Sequence, residues 1–203
     1  MRDILSASSL YLGQSDGQVQ MTDRPKTSIY IATTVDGFIA RLDSAIDWLE
    51  HDAMGDDYGW AAFRESIDSL IIGRRTYEQV LSFDVPWPYH GLSTVIWSRT
   101  LGQADLPKAL SEEDVTISQH PAGALLDTLG TRGFRHTWVD GGQTLQAFLS
   151  AGLIDELTLT KLPLLLGQGS ALFGPLPADL HLAHLETTSF RSGVVQSRYA
   201  VTP

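Results

Sequence analysis

The sequence predicts a single α/β domain: a mostly parallel sheet flanked by helices, with antiparallel strands at its C-terminal end. Three observations carry this. Short β-prone runs alternate with stretches of helical periodicity along most of the chain. Two of those runs stop at glycine and restart almost at once as helix, the pattern of a βα junction. The last two runs, 182–190 and 194–201, are joined through Ser192-Gly193 and form a hairpin pattern. At 203 residues the chain can bury the core of one such domain.

Each element has a local reason. Residues 1–25 carry Ser, Gln and Gly among scattered apolar residues, and are expected to be a loosely ordered extension before a domain spanning 26–203. Residues 28–34, Ser-Ile-Tyr-Ile-Ala-Thr-Thr, form the first strand and break at the turn pair Asp36-Gly37. A brief resumption at 38–40 precedes a loop or short helix at 43–50, which carries Asp47-Trp48-Leu49. Residues 58–67 are helix-like, with Ala62, Phe63 and Ile67 near one face. Unbroken Leu70-Ile71-Ile72 marks 68–72 as a buried strand, closed by Gly73-Arg74-Arg75-Thr76 before a helix over 77–81. Pro86-Trp87-Pro88 forces a loop. Strands follow at 94–97, which stops at Ser98-Arg99-Thr100, and at 115–118.

A helix opened by Pro121 spans 121–129, and 136–140 is a short strand that stops at Gly141-Gly142. Residues 143–150 then align Leu145, Phe148 and Leu149 on one helical stripe, with Gly152 as C-cap. Residues 156–166 read as one long strand, interrupted by Pro163 and closed by Gly167-Gln168-Gly169.

Composition excludes several functions. A net charge of −10 argues against nucleic acid or an anionic membrane surface as partner. Without cysteine there is no disulfide, thiolate metal site or cysteine nucleophile. The six histidines lack ligand spacing, so no metal site is expected. No apolar run reaches spanning length and no signal-peptide pattern opens the chain, which makes cytoplasm the expected compartment. A Ser98, Asp140, His136 triad is conceivable, but no G-x-S-x-G elbow accompanies it.

Three strand ends share one chemistry: Gly73-Arg74-Arg75-Thr76, Ser98-Arg99-Thr100 and Gly141-Gly142-Gln143-Thr144. Ligands of open α/β sheets bind beyond the carboxyl ends of the strands. A strand–glycine–helix junction offers backbone N–H groups to a phosphate, and guanidinium forks match its oxygens. Alone, the glycine pair equally serves a tight turn, and each arginine equally serves a surface carboxylate. Together, in a chain with only 14 basic residues, they point to a polyphosphate ligand. Neither G-x-G-x-x-G after the first strand nor G-x-x-x-x-G-K-[ST] occurs, which disfavours an ordinary dinucleotide fold or a P-loop.

Five ordered segments go further: Ala32-Thr33-Thr34-Val35-Asp36-Gly37-Phe38-Ile39-Ala40, the run 68–78, Asp140-Gly141-Gly142, Gly152-Leu153-Ile154-Asp155-Glu156-Leu157, and Pro163-Leu164-Leu165-Leu166-Gly167-Gln168-Gly169. Together they resemble the dihydrofolate reductase-like family, most closely the reductase domain of the riboflavin-biosynthesis deaminase-reductases and its stand-alone relatives. The resemblance implies a three-layer α/β sandwich and an NADPH-dependent reductase acting on a small heterocyclic or sugar-linked substrate. It places Gly73, Arg74, Arg75 and Thr76 at the 2′-phosphate and pyrophosphate side, with Ser98 and Arg99 along the adenosine end. It sets Gly141, Gly142, Gln143, Thr144 and Leu145 at the pyrophosphate and Ala32 near the nicotinamide.

Asp36 is implied as substrate-side acid, or equally as a turn former. Trp48 is implied beside the nicotinamide pocket, or equally as a core anchor. Asp56 and Asp57 fall near the substrate carboxylate of dihydrofolate reductases, although a solvated helix start suits them better. The riboflavin-pathway enzymes usually carry lysine where this chain has Tyr30, so the chain departs from that pattern at the substrate side. Alternatives are dihydrofolate reductase activity or a non-catalytic NADPH-binding sensor. The resemblance also implies a homodimer, for which Leu153-Ile154-Asp155-Glu156-Leu157 is the expected interface.

Overall fold

Strand β1 (Lys26–Thr34) anchors the sheet, pairing in parallel with β6 (His136–Asp140) on one side and β7 (Glu156–Leu162) on the other. The structure, a computed structural model, describes residues 24–49, 56–83 and 85–202. The expected N-terminal extension therefore lies, except for its last two residues, outside the described residues. Beyond β6 lie β3 (Ser69–Gly73), β4 (Ser93–Trp97) and β5 (Val115–Ser118), all parallel. Beyond β7 lies the expected hairpin: β10 (Val195–Thr202) runs antiparallel to β7, and β9 (His181–Ser189) closes that edge. The full order is β5-β4-β3-β6-β1-β7-β10-β9. A separate two-stranded ladder joins β2 (Phe38–Ala40) to β8 (Ser170–Ala171).

Helices cover both faces. In β3, Leu70 and Ile72 point to one side, where they meet Tyr77 of α2 (Arg74–Leu81), Phe63 of α1 (Trp60–Ser66), Trp138 and Ile96. Ile71 points to the other side, packing with Val139 and Val95 under α3 (Ala122–Thr131) and α4 (Gly142–Ser150). Leu125, Leu126, Leu129, Leu145, Phe148 and Leu149 supply that helical layer. Each such buried side chain contributes about 1.5–3 kcal/mol relative to exposure. The result is the three-layer sandwich expected from the resemblance, with its alternation set by the period of two along each strand.

Two boundaries differ from expectation. Helix α2 begins at Arg74, directly after β3, because Gly73 already has extended N-cap geometry. Strand β7 stops at Leu162 instead of running to residue 166: Pro163 has no N–H to continue the ladder, and the Leu164 N–H folds back to the Leu162 carbonyl. The 153–157 segment is internal, with Ile154 3% and Leu157 1% exposed and Asp155 gripped by both terminal nitrogens of Arg24.

The connections fix a reversal point. From β3 the chain moves outward through α2 to β4 and β5. It returns through α3 to β6 and crosses through α4 to β7 on the opposite side of β1. At the carboxyl ends of neighbouring β3 and β6, the helices therefore diverge to opposite faces, leaving a crevice between them.

Candidate functional site

The crevice floor is made by glycine. A Cβ on Gly73 would collide with Thr144 Oγ1, one on Gly141 with Thr76 Oγ1, and one on Gly142 with Ile39 Cδ1. Only bare main chain lets the starts of α2 and α4 interlock this closely, and Gly141 also has φ +92. Both helices begin without a side-chain cap and with no acidic residue in the first turn. Their first-turn N–H groups lack intrahelical acceptors and sit at the positive helix ends. Such an arrangement can receive an anion even in an acidic chain.

The arginines rim it. Gly73 stands opposite Trp97 in the parallel register, so Arg74 and Ser98 leave the sheet from adjacent strands. Arg74 is fixed, its Nε donating to Glu78 at 2.7 Å and its Nη1 to Thr100 Oγ1 at 3.1 Å. Arg75 and Arg99 are exposed. Thus the three predicted strand tips, on β4, β3 and β6, are neighbours, and the predicted Gly73, Arg74, Arg75, Thr76, Arg99, Gly141, Gly142 and Gln143 gather around them.

Other predicted residues have different work. Leu145 is fully buried in the core and its N–H bonds the Gly141 carbonyl, so its side chain anchors the helix. Thr144 is buried against Gly73. Ser98 is buried, and its Oγ accepts the N–H groups of Thr100 and Leu101, shaping the rim loop. Ala32 lies partly buried on β1 beside the cluster of Trp48, Leu162 and Val194. Trp48 itself is 2% exposed, a core anchor, with its indole N–H unpaired among the described residues.

Asp36 takes the turn-forming one of its two expected roles in the structure. It accepts from Thr34 Oγ1 and from the N–H groups of Leu166 and Gly167, tying the β1–β2 turn to the loop after β7. The Thr34 hydroxyl, aided by those N–H groups, holds its carboxyl below the usual range, so it stays ionised and committed. Asp57 likewise accepts from Gly59 and Ala61 N–H at the start of α1, the helix-start role. The conceivable triad fails, because His136 sits at the opposite end of β6 from Asp140, bonded to Ser28 Oγ and the Ser66 carbonyl.

Among the described residues at these strand ends, the carboxyl that is raised is Asp140, the last residue of β6. Burial pushes its carboxyl up to about 6, opposed only by the Gly141 N–H. It shares a strand face with Trp138, and an aromatic wall continues from there. Tyr89 lies 5.8 Å from Trp138 and Trp87 5.2 Å from Tyr89, while Trp60 and Phe63 pack on Trp138 from α1. Burial, and then the Asp140 charge, raise the Tyr89 phenol. The indole N–H groups of Trp87 and Trp138 have no partner among the described residues. The sequence carried a signal for Asp140, an acid ending a buried apolar strand just before two glycines, but it was absorbed into the glycine motif.

A cavity of about 540 Å³ lies elsewhere, between α1 and the C-terminal hairpin. Its charged groups already pair with one another, Lys26 and Arg198 on Glu156 and Arg198 on Glu186. Gln196 Nε2 is spent on Tyr30 Oη, the Tyr58 carbonyl and Thr160 Oγ1. Tyr30, in the lysine position of the riboflavin-pathway enzymes, donates to the Tyr58 carbonyl and stacks on Phe63 at 4.5 Å. These groups hold the fold together around the cavity. No described helix is long and apolar enough to cross a membrane.

Comparison with known proteins agrees with this fold. The chain is 32% identical over 170 residues to the uncharacterized protein YwjB of Bacillus subtilis, covering 83% of this chain and 94% of that one. It is 33% identical over 171 residues to the riboflavin biosynthesis protein RibD of Corynebacterium ammoniagenes, covering 77% of this chain but only 49% of RibD. A crystal structure of a Shewanella sp. PV-4 protein named for riboflavin biosynthesis superposes with a TM-score of 0.82 at 32% identity, covering 88% of this chain and 99% of that one. Residues 25–196 match the family model described as the RibD C-terminal domain, and the chain belongs to that family.

Proposed function

We propose that this chain is an NADPH-dependent reductase that delivers hydride to a C=N or C=O bond of a small nitrogen heterocycle or its sugar-linked form. The observation that carries the reading is the meeting of two uncapped helix starts at the chain-reversal crevice, with arginines on the rim and Asp140 at its floor. The residues fit the cofactor: the N–H groups of Gly142 and Gln143 and of Arg74 and Arg75 would hold its phosphates. Arg75 and Arg99 would add bidentate contacts to the 2′-phosphate, with Arg74 held beside them by Glu78 and Thr100. A bound reduced nicotinamide supplies the hydride. Asp140 then gives a proton from its carboxyl to the nitrogen or oxygen of the reduced bond, a role suited to an acid near 6. The aromatic wall of Trp87, Tyr89 and Trp138 suits a flat ring. Similarity to RibD supports a substrate of the riboflavin-precursor class, while Tyr30 in the lysine position points to a related ring rather than that compound itself.

The test is nicotinamide fluorescence and thermal shift with NADPH, then turnover with dihydrofolate and the riboflavin precursor side by side. Arg75→Ala and Arg99→Ala should each weaken NADPH binding about 10-fold or more, the loss of a charge-assisted hydrogen bond, while leaving NADH nearly unchanged. Absence of binding at millimolar NADPH would overturn the proposal.

A further inference from the structure

Tyr89 differs from the other polar groups of the aromatic wall. The indole N–H groups of Trp87 and Trp138 and the Tyr77 hydroxyl are closed off from solvent. Tyr89 is partly exposed, and its hydroxyl makes no hydrogen bond among the described residues. Its ring is held from both sides, edge-on to Trp87 at 5.2 Å and to Trp138 at 5.8 Å.

The loop that carries this ring is tied down as well. Arg64 of α1 donates from Nη2 to the His90 carbonyl at 3.1 Å, and the Leu92 N–H bonds the Tyr89 carbonyl at 3.0 Å. On the β5 side, His90 Nδ1 meets Glu113 Oε1 at 3.0 Å. A free hydroxyl on a fixed ring is a preorganised donor.

Strand geometry decides what that donor faces. Trp138 and Asp140 are two apart on β6 and project to one face. The ring packed on Trp138 therefore lies on the Asp140 side of the sheet, where the Asp140 charge acts on the phenol. Asp140 titrates near 6, while burial, and then the Asp140 charge, hold the phenol protonated above its usual range. Asp140 can surrender its proton; Tyr89 keeps its own as a hydrogen-bond donor.

This pairing distinguishes C=O from C=N. A carbonyl oxygen has two lone pairs, so it can take a proton on one and a hydrogen bond on the other. The nitrogen of a C=N bond has one lone pair, which protonation uses up. We propose that Tyr89 is a second catalytic residue, donating a hydrogen bond to the oxygen of an aldehyde or ketone carried by a flat nitrogen heterocycle. The bond reduced is then C=O, an inference that rests on the reductase reading and narrows it. The carbonyl carbon accepts the hydride that bound NADPH supplies, the π pair moves to oxygen, and oxygen takes the Asp140 proton. An alcohol and NADP+ leave, the Asp140 carboxylate regains a proton from water, and Tyr89 is unchanged.

Two probes on one ring system test this, pterin-6-carbaldehyde for C=O and dihydrofolate for C=N, together with Tyr89→Phe, which deletes the hydroxyl and keeps the ring. The wild type should oxidise NADPH at least about 10-fold faster with the aldehyde. Tyr89→Phe should lose about 10²-fold in kcat with the aldehyde, the effect of removing one oxyanion donor, with KM changed less than about 3-fold and the thermal transition retained. With NADP+ bound, the carbon-13-edited infrared stretch of the bound aldehyde should lie at lower frequency in the wild type than in Tyr89→Phe, a readout independent of turnover. An unchanged kcat in Tyr89→Phe, the same stretch in both proteins, or a preference for dihydrofolate would each overturn this inference and leave the reductase reading standing. A wild type that binds no NADPH would overturn both.

Discussion

Two carboxylates show how environment assigns chemistry at the residue scale. Asp36 is ringed by donors and stays ionised, while Asp140 is buried with one N–H beside it and sits near 6. If Asp140 donates the proton, Asp140→Asn should lower kcat by about 10²–10⁴-fold without weakening NADPH binding, and wild-type kcat should fall as pH rises through about 6. Asp36→Asn should leave that pH profile in place. Stability gives a second readout. With its folded value raised above 3.8, Asp140 favours the folded state below that value and loses this contribution as pH rises through about 6. Asp140→Asn should therefore stabilise the protein at neutral pH by roughly 2–3 kcal/mol and do little near pH 3, as denaturant titrations would reveal. Trp48→Ala should cost about 3–5 kcal/mol of stability, since its ring is a core anchor.

Elements meet where side chains are missing. The starts of α2 and α4 interlock through Gly73 against Thr144 and Gly141 against Thr76. Gly141→Ala adds a collision to a left-handed φ and should cost about 3 kcal/mol, whereas Gly37→Ala, at φ +83 in open space, should cost nearer 1 kcal/mol. Gly73 has φ −81, so only the Thr144 side chain opposes a Cβ there. Gly73→Ala should then be rescued by Thr144→Ala, with a coupling of at least about 1 kcal/mol in a double-mutant cycle. Most strand and helix cores were legible from periodicity, but the end of β7 was misread because Leu164-Leu165-Leu166 looks strand-like once Pro163 is treated as an interruption. Leu165 is in fact 70% exposed.

Across the whole molecule, strand order converts three separated stretches into one rim. Gly73, Ser98 and Gly141 come together because β4, β3 and β6 are parallel neighbours, and the crevice exists because α2 and α4 leave in opposite directions. A locally basic rim on an acidic chain should make cofactor binding fall with ionic strength, which titration at two salt concentrations would measure. Local sequence, through its periods of two and 3.6 and its glycine stops, was enough to determine the α/β class and the C-terminal hairpin. Which carboxylate is desolvated and which serine and leucine turn inward were decided only by tertiary structure. Burial and electrostatic environment depend on neighbours distant in the chain, and no local pattern encodes them.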